Sequence, residues 1–229
     1  MVDGYSAEQV RAAEAPHLAA GEPLMLRAAA ALAGVIRREA GRSDAAGGPV
    51  VLLVGSGDNG GDALFAGAEL AGDGMAVTAI PASERIHADG AVAARTAGVR
   101  FQGRDDAAAV DRALRSAALI VDGLLGTGTS AAPALRGTAR DLVAAAMPIV
   151  EERGIPVVAV DLPSGIHPDD GSVPDPTVLR AEVTVTFGAV KAGLLLEPGA
   201  SRAGRIELVD LGLGPELAAM TPLVTTDRS

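Results

Sequence analysis

The sequence predicts an α/β fold, a three-layer sandwich with a mainly parallel central sheet, and three observations carry that expectation. Short apolar runs without period-two alternation recur along the chain, as at Pro49-Val50-Val51-Leu52-Leu53-Val54, which is how strands buried on both faces read. Helix-length segments rich in Ala and Leu separate most of these runs. Strand alternating with helix places helices on both faces of a parallel sheet.

The elements follow in order. Ser6-Ala7-Glu8-Gln9 fits a capping box, in which the Ser6 hydroxyl and the Gln9 side chain each satisfy a free backbone donor, and starts a helix reaching about Ala20. Pro23 suits a first turn and opens a second helix that continues to Arg38. After the strand at 49–54, further strands are expected at 76–80, 119–121, 156–160, 183–187 and 205–209, with helices at 64–71, 87–98, 107–117 and 135–153. Right-handed crossovers then place the functional loops at the carboxyl ends of the strands. No stretch reads as a linker. Residues 1–229 are expected to form a single domain with an ordered core at 5–212, and 215–229 to be a poorly ordered tail or the start of a linker.

Composition narrows the function. A chain of 229 residues, 48% hydrophobic and 21% charged, buries about 70% of its unfolded surface and needs no disulfide or structural metal. The core must be aliphatic, since Tyr5, Phe65, Phe101 and Phe187 are the only aromatic residues. A net charge of −10 argues against nucleic acid and anionic membranes as partners. With no cysteine, thiol catalysis and Cys-based zinc sites are excluded. His17, His87 and His167 lie far apart, outside any HxxH or HExxH pattern, so a zinc enzyme is not expected. Neither a secretory pattern nor an apolar run of about 18 residues is present, so a cytoplasmic location is expected.

Four loops carry candidate chemistry. The first, Gly55-Ser56-Gly57-Asp58-Asn59-Gly60-Gly61-Asp62, contains G-x-G-x-x-G between a strand and a helix. In a dinucleotide-binding dehydrogenase an acidic residue about 20 positions on would hold a ribose, but Ile80 and Pro81 stand there. Two acids and an amide in this turn suit cation and hydroxyl ligands better than phosphate; a turn that merely closes a βα unit is the alternative. The second loop, Val121-Asp122-Gly123-Leu124-Leu125-Gly126-Thr127-Gly128-Thr129-Ser130, puts a carboxylate at the end of a buried strand, costly without a partner, ahead of small residues that suit a phosphate cradle or a flexible connector.

In the third loop, Asp161 is a candidate acid or base and Ser164 a candidate metal or substrate ligand. No G-x-S-x-G elbow is present, His167 is expected at the surface, and Asp169-Asp170-Gly171 reads as a solvent-facing turn. The fourth holds Lys191, the only lysine of the chain, a point charge able to give up its proton as Arg cannot. Asp62, Asp122 and Asp161, with Asn59 and Ser164, would meet along one sheet edge; oxygen donors without His or Cys select a hard cation, monovalent or Mg²⁺.

The ordered set GSGDNGGD, VDGLLGTG, VVAVDLPSG and VTFGAVKAG, with the opening Tyr5-Ser6-Ala7-Glu8-Gln9-Val10-Arg11, resembles the NAD(P)H-hydrate epimerase family, the YjeF-type N-terminal domain, from about Tyr5 to Gly212. The resemblance implies a Rossmann-like domain that interconverts the R and S forms of hydrated NADH or NADPH at C6. It also implies one potassium ion per subunit on Asn59, Asp122 and Ser164. Substrate contacts carry over to Asp58, Asn59, Gly60, Gly61 and Asp62, to Gly126, Thr127, Gly128, Thr129, Ser130, Ala131 and Ala132, and to Asp161. Asp161 and Lys191 are the expected catalytic pair. A homodimer, and fusion to or pairing with an NAD(P)H-hydrate dehydratase, are family expectations. A ligand-binding or scaffold protein without turnover is the alternative on the same fold. Where the family reads Asn-Asn-Gly-Gly-Asp-Gly, this chain has Asp58 and Ala63 at the first and last positions, and Ala28-Ala29 replaces a common Ala-Gly. Asp58 adds a negative charge near a phosphate-bearing ligand, and Ala63 is expected to narrow the helix start.

Overall fold

The computed structural model describes residues 1–42, 47–129 and 132–227. In chain order they form β1 (Val2–Gly4), α1 (Ala7–Ala19), α2 (Leu24–Ala40), β2 (Val50–Val54), α3 (Asp58–Gly72), β3 (Val77–Pro81), α4 (Ala88–Ala97), β4 (Arg100–Phe101), α5 (Ala107–Ser116) and β5 (Leu119–Gly123). There follow a 3-10 turn (Thr127–Thr129), α6 (Gly137–Arg153), β6 (Val157–Val160), β7 (Val183–Phe187), a second 3-10 turn (Ala192–Leu194), α7 (Ala200–Ala203), β8 (Arg205–Val209), α8 (Gly214–Leu217) and β9 (Val224–Thr226).

Seven strands make one parallel sheet in the order β4-β3-β2-β5-β6-β7-β8. The chain winds outward from β2 to β4, returns to β5, and then winds the other way. Strand order therefore reverses between β2 and β5, where an open α/β sheet leaves a crevice at its carboxyl edge. All five residues of β2 are buried, Val50, Leu52 and Val54 against α2 and α3, Val51 and Leu53 against α5 and α6. Both faces are covered, and so the strand shows no alternation.

The predicted capping box of α1 is present: Gln9 N donates to Ser6 Oγ at 3.1 Å and Ser6 N to Gln9 Oε1 at 2.9 Å. Two expectations are corrected. The helix expected from Leu64 begins six residues earlier, so Asp58 to Ala63 form its first turns instead of a loop. Gly60 permits this, because a Cβ there would lie 2.2 Å from Gly55 O. The tail is ordered to Asp227: α8 follows β8, and β9 pairs antiparallel with β1, Val2 opposite Thr226 and Gly4 opposite Val224. That pairing joins the two ends of the chain, so neither strand has a local signal. The ordered part thus extends beyond 5–212 at both ends. Among the described residues no single helix is long and apolar enough to cross a membrane.

Candidate active site

Four loops leave the carboxyl ends of β2, β5, β6 and β7, and parallel pairing brings them to one edge. The register places Val54 beside Gly123, Asp122 beside Ala159 and Val160 beside Val185. Main-chain bonds continue past the strands, Gly55 N to Gly123 O at 3.0 Å and Asp161 N to Val185 O at 2.7 Å.

Asn59, Asp122 and Ser164 come together there. Asp122 is fully buried; its Oδ1 accepts from Ser164 Oγ at 2.6 Å and its Oδ2 from Ser164 N at 2.8 Å. Burial pushes the Asp122 carboxyl above its ordinary range, and the hydrogen bonds from Ser164 and Leu124 act against that shift. Ser164 Oγ also accepts from Leu125 N at 2.9 Å. The Asn59 amide donates to Leu125 O at 3.1 Å and Val160 O at 2.5 Å. Gly126 leaves it room, since a Cβ there would lie 2.3 Å from Asn59 Oδ1. One carboxylate without a cationic partner, one hydroxyl, one amide and two main-chain carbonyls are hard oxygen donors with a single negative charge, which fits a singly charged hard cation. Among the described residues no group of three or more His, Asp or Glu side chains is arranged to hold a metal ion.

Asp161 and Lys191 form a buried ion pair. Lys191 Nζ donates to Asp161 Oδ1 and, at 2.8 Å, to Phe187 O. Asp161 Oδ1 accepts as well from Thr186 Oγ1 at 3.1 Å and Phe187 N at 3.4 Å. The carboxylate is aimed by an unusual backbone: Asp161 has φ 68°, and Leu162 N donates back to Val160 O at 2.8 Å. An L-residue held there costs about 1–3 kcal/mol, and such outliers concentrate at functional sites.

These groups open onto a cleft of about 160 Å³ between α1, α2 and the sheet edge. Asp58, Asn59, Asp62, Thr127, Asp161 and Lys191 line it. So do two charged residues that the sequence reading passed over, Arg11 and Glu14. Their signal was weak: Glu14 follows Val10 by one turn of α1, an acid beside the buried stripe of Ala7, Val10 and Ala13. Burial raises the Glu14 carboxyl above its ordinary range; Asp161 and Asp58 add to the shift, while Lys191 and Arg11 oppose it. Asp62 is pushed up to about 8, first by burial, then by Asp161 and Asp58.

The remaining predicted residues among those described are not part of the cleft lining. Gly60 and Gly61 shape the start of α3, with His87 packed over Gly61. Gly126 faces Asn59, and Ala132 is exposed. Ser130 and Ala131 lie outside the described residues, while Gly128 and Thr129 belong to the 3-10 turn. The methyl of Ala63, in the first turns of α3, is buried against Gly123, where a Cβ would sit 2.8 Å away. His167 is half-buried, its Nδ1 accepting from Asp169 N at 3.2 Å, and Asp169 Oδ1 accepts from Ala7 N at 2.7 Å at the start of α1.

Comparison with known proteins adds the following. Residues 21–193 match the family described as YjeF-related protein N-terminus. The NAD(P)H-hydrate epimerase of Clavibacter michiganensis subsp. michiganensis is 55% identical, covering 100% of this chain and 97% of that protein. The NAD(P)H-hydrate epimerase of Microbacterium testaceum is 46% identical over 98% of this chain and 84% of its own length. The bifunctional NAD(P)H-hydrate repair enzyme Nnr of Mycobacterium tuberculosis is 39% identical over 91% of this chain, which spans 41% of that protein. The crystal structure of yeast ynu0 (YNL200c) superposes with a TM-score of 0.77 at 17% identity, covering 100% of this chain and 98% of that one, a likeness of fold.

Proposed function

The chain belongs to the YjeF-related protein N-terminus family, and on that premise we propose that it is an NAD(P)H-hydrate epimerase, interconverting the R and S forms of hydrated NADH and NADPH in cofactor repair. The observation that carries this reading is the cleft: relatives bearing that name match the full chain, and here the four motif loops meet around a space suited to one reacting ring. At about 160 Å³ it is close to the ~150 Å³ cavity known to take up benzene. It therefore accepts the hydrated nicotinamide ring and leaves the rest of the dinucleotide along the rim.

The chemistry asks for two things. C6 of the hydrate bears a hydroxyl next to the ring nitrogen; the nitrogen lone pair expels it as water, an iminium forms, and water returns to either face. This needs a proton at the departing oxygen and negative charge near the cation. Asp161 supplies the second. Its Oδ1 is held by Lys191, Thr186 and Phe187 N, so the carboxylate is fixed in place as a charge that meets the iminium without reorganising. Lys191 is then a positioning residue.

Asn59, Asp122 and Ser164, from the β2, β5 and β6 motifs, would hold a potassium ion, which would supply a positive charge against the buried Asp122 carboxylate. The S epimer that the reaction forms is the substrate for an ATP- or ADP-dependent dehydratase, the partner we propose.

The test supplies the R-enriched hydrate and follows the epimer ratio by chromatography. Acceleration over the spontaneous reaction supports the enzyme, and an unchanged rate with retained nucleotide binding leaves a binding protein in its place.

A further inference from the structure

Four carboxylates line the cleft, and their surroundings differ. Asp161 is the anion paired with Lys191. Asp58, the first residue of α3, is exposed to water, and Glu14 is half-buried on α1. Asp62 is different. It is 6% exposed, lines the cleft, and its Oδ1 is buried with no hydrogen-bond partner among the described residues.

We infer that Asp62 is the general acid of the reaction, the group that gives its proton to the departing C6 hydroxyl. The inference rests on the epimerase reading and adds to it the one role that reading left open. Asp161 is poorly suited to that role, because three donors already converge on its Oδ1. Among the described residues, Asp62 Oδ1 receives no donor and no ion pair holds the carboxyl. A buried carboxyl in that position is more stable neutral, with its proton available.

The groups that act on Asp62 come from every side. Asp161 stands at the end of β6, Asp58 one turn back on α3 and Glu14 across the cleft on α1, all acting to hold its proton; Lys191, after β7, is the opposing cation and is already bound to Asp161. On the α4 side, His87 packs over Gly61 and accepts from Gly90 N at 3.1 Å. On the α2 side, Arg37 is paired with Glu69 and Asp73 at the far end of α3. Burial and the like charges together hold the Asp62 proton to about pH 8. Two carboxylates in unlike surroundings, one paired with an ammonium and the other buried with no donor to its Oδ1 among the described residues, divide charge stabiliser from acid.

The step balances. The Asp62 proton moves to the hydroxyl oxygen, the C6–O bond breaks with its electron pair leaving in water, and the ring nitrogen lone pair forms the C=N⁺ bond. Water then adds to the iminium carbon and releases one proton, which restores Asp62.

The experiment measures catalysed epimerisation of R-enriched NADPH hydrate by the full chain from pH 6 to 10, with the spontaneous rate subtracted. The wild type should lose rate above about pH 8, about tenfold per pH unit. Asp62→Asn should lower the rate about 100-fold or more and abolish that alkaline fall, with KM moving less than several-fold. Glu14→Gln removes one like charge and should shift the fall to lower pH, a change that a purely structural role would not produce. The inference is overturned if folded Asp62→Asn keeps the rate within threefold at pH 7. Should Asp62→Asn fail to fold, Glu14→Gln decides: a shifted limb supports the inference and an unmoved one overturns it. Wild-type protein without any acceleration would overturn the epimerase reading itself, an outcome distinct from these.

Discussion

Lys191, the only lysine of the chain, donates to the carboxylate of Asp161, which is the only non-glycine residue at positive φ among the described residues. The two lie 30 positions apart, one after β6 and one after β7, and Lys191 is 2% exposed. The buried ammonium pairs with a carboxylate at the wall of the cleft and fixes its position. Removing the cation leaves that charge uncompensated, at a cost of about 3–5 kcal/mol. Lys191→Met is therefore expected to lower the urea unfolding free energy by about that amount, and Lys191→Met with Asp161→Asn to recover much of it. Additive losses in the double variant would show that the pair is not coupled.

The proposed cation site makes a prediction that needs no substrate. Potassium chloride should raise the thermal midpoint by a few degrees over choline chloride at equal ionic strength, since a ligand at 100 times its Kd adds about 2.7 kcal/mol. Asp122→Asn removes the carboxylate that Ser164 now holds at 2.6 Å, and should abolish the difference between the salts. Equal wild-type midpoints in the two salts would refute the site.

Two glycines at the start of α3 should respond in opposite ways. Gly57 caps α3 at φ −97°, and a Cβ there meets nothing within 4 Å. Gly57→Ser places a preferred capping residue at that position and should leave stability within about 0.5 kcal/mol. A Cβ at Gly60 would lie 2.2 Å from Gly55 O, main chain that cannot give way, so Gly60→Ala should cost about 1–3 kcal/mol or more. Chemical denaturation of both variants checks the contrast, and equal costs would contradict the close approach.

The raised Asp62 carboxyl also sets a pH dependence of stability. In the unfolded chain it loses its proton near the ordinary value of 3.8, in the folded one near 8. Between these values the folded state binds more protons, so stability falls as pH rises, by at most about 1.4 kcal/mol per pH unit. Asp62→Asn escapes that loss. Its stability relative to wild type should rise between pH 4 and pH 8, measured by guanidinium unfolding at both, and a constant difference would mean that Asp62 is ionised in the fold.

What the chain declares locally is its sheet and its motif loops. Val50 to Val54 and Val183 to Phe187 read as strands because both of their faces are covered, and the glycines and acids after them mark sites because parallel strands all deliver their ends to one edge. The convergence of Asn59, Asp122 and Ser164 on one edge was legible for that reason. The pairing of β1 with β9, the entry of Arg11 and Glu14 into the cleft, and the ordered tail were not, since each depends on partners far away in sequence. Above all, the sequence names the carboxylates but not their charge. Asp161 and Asp62 are the same residue type in motifs that both follow a buried strand; packing gives one an ammonium and leaves Oδ1 of the other buried with no partner among the described residues. A carboxyl group's protonation is set by the groups within a few ångströms of it, and only the folded arrangement determines which groups those are.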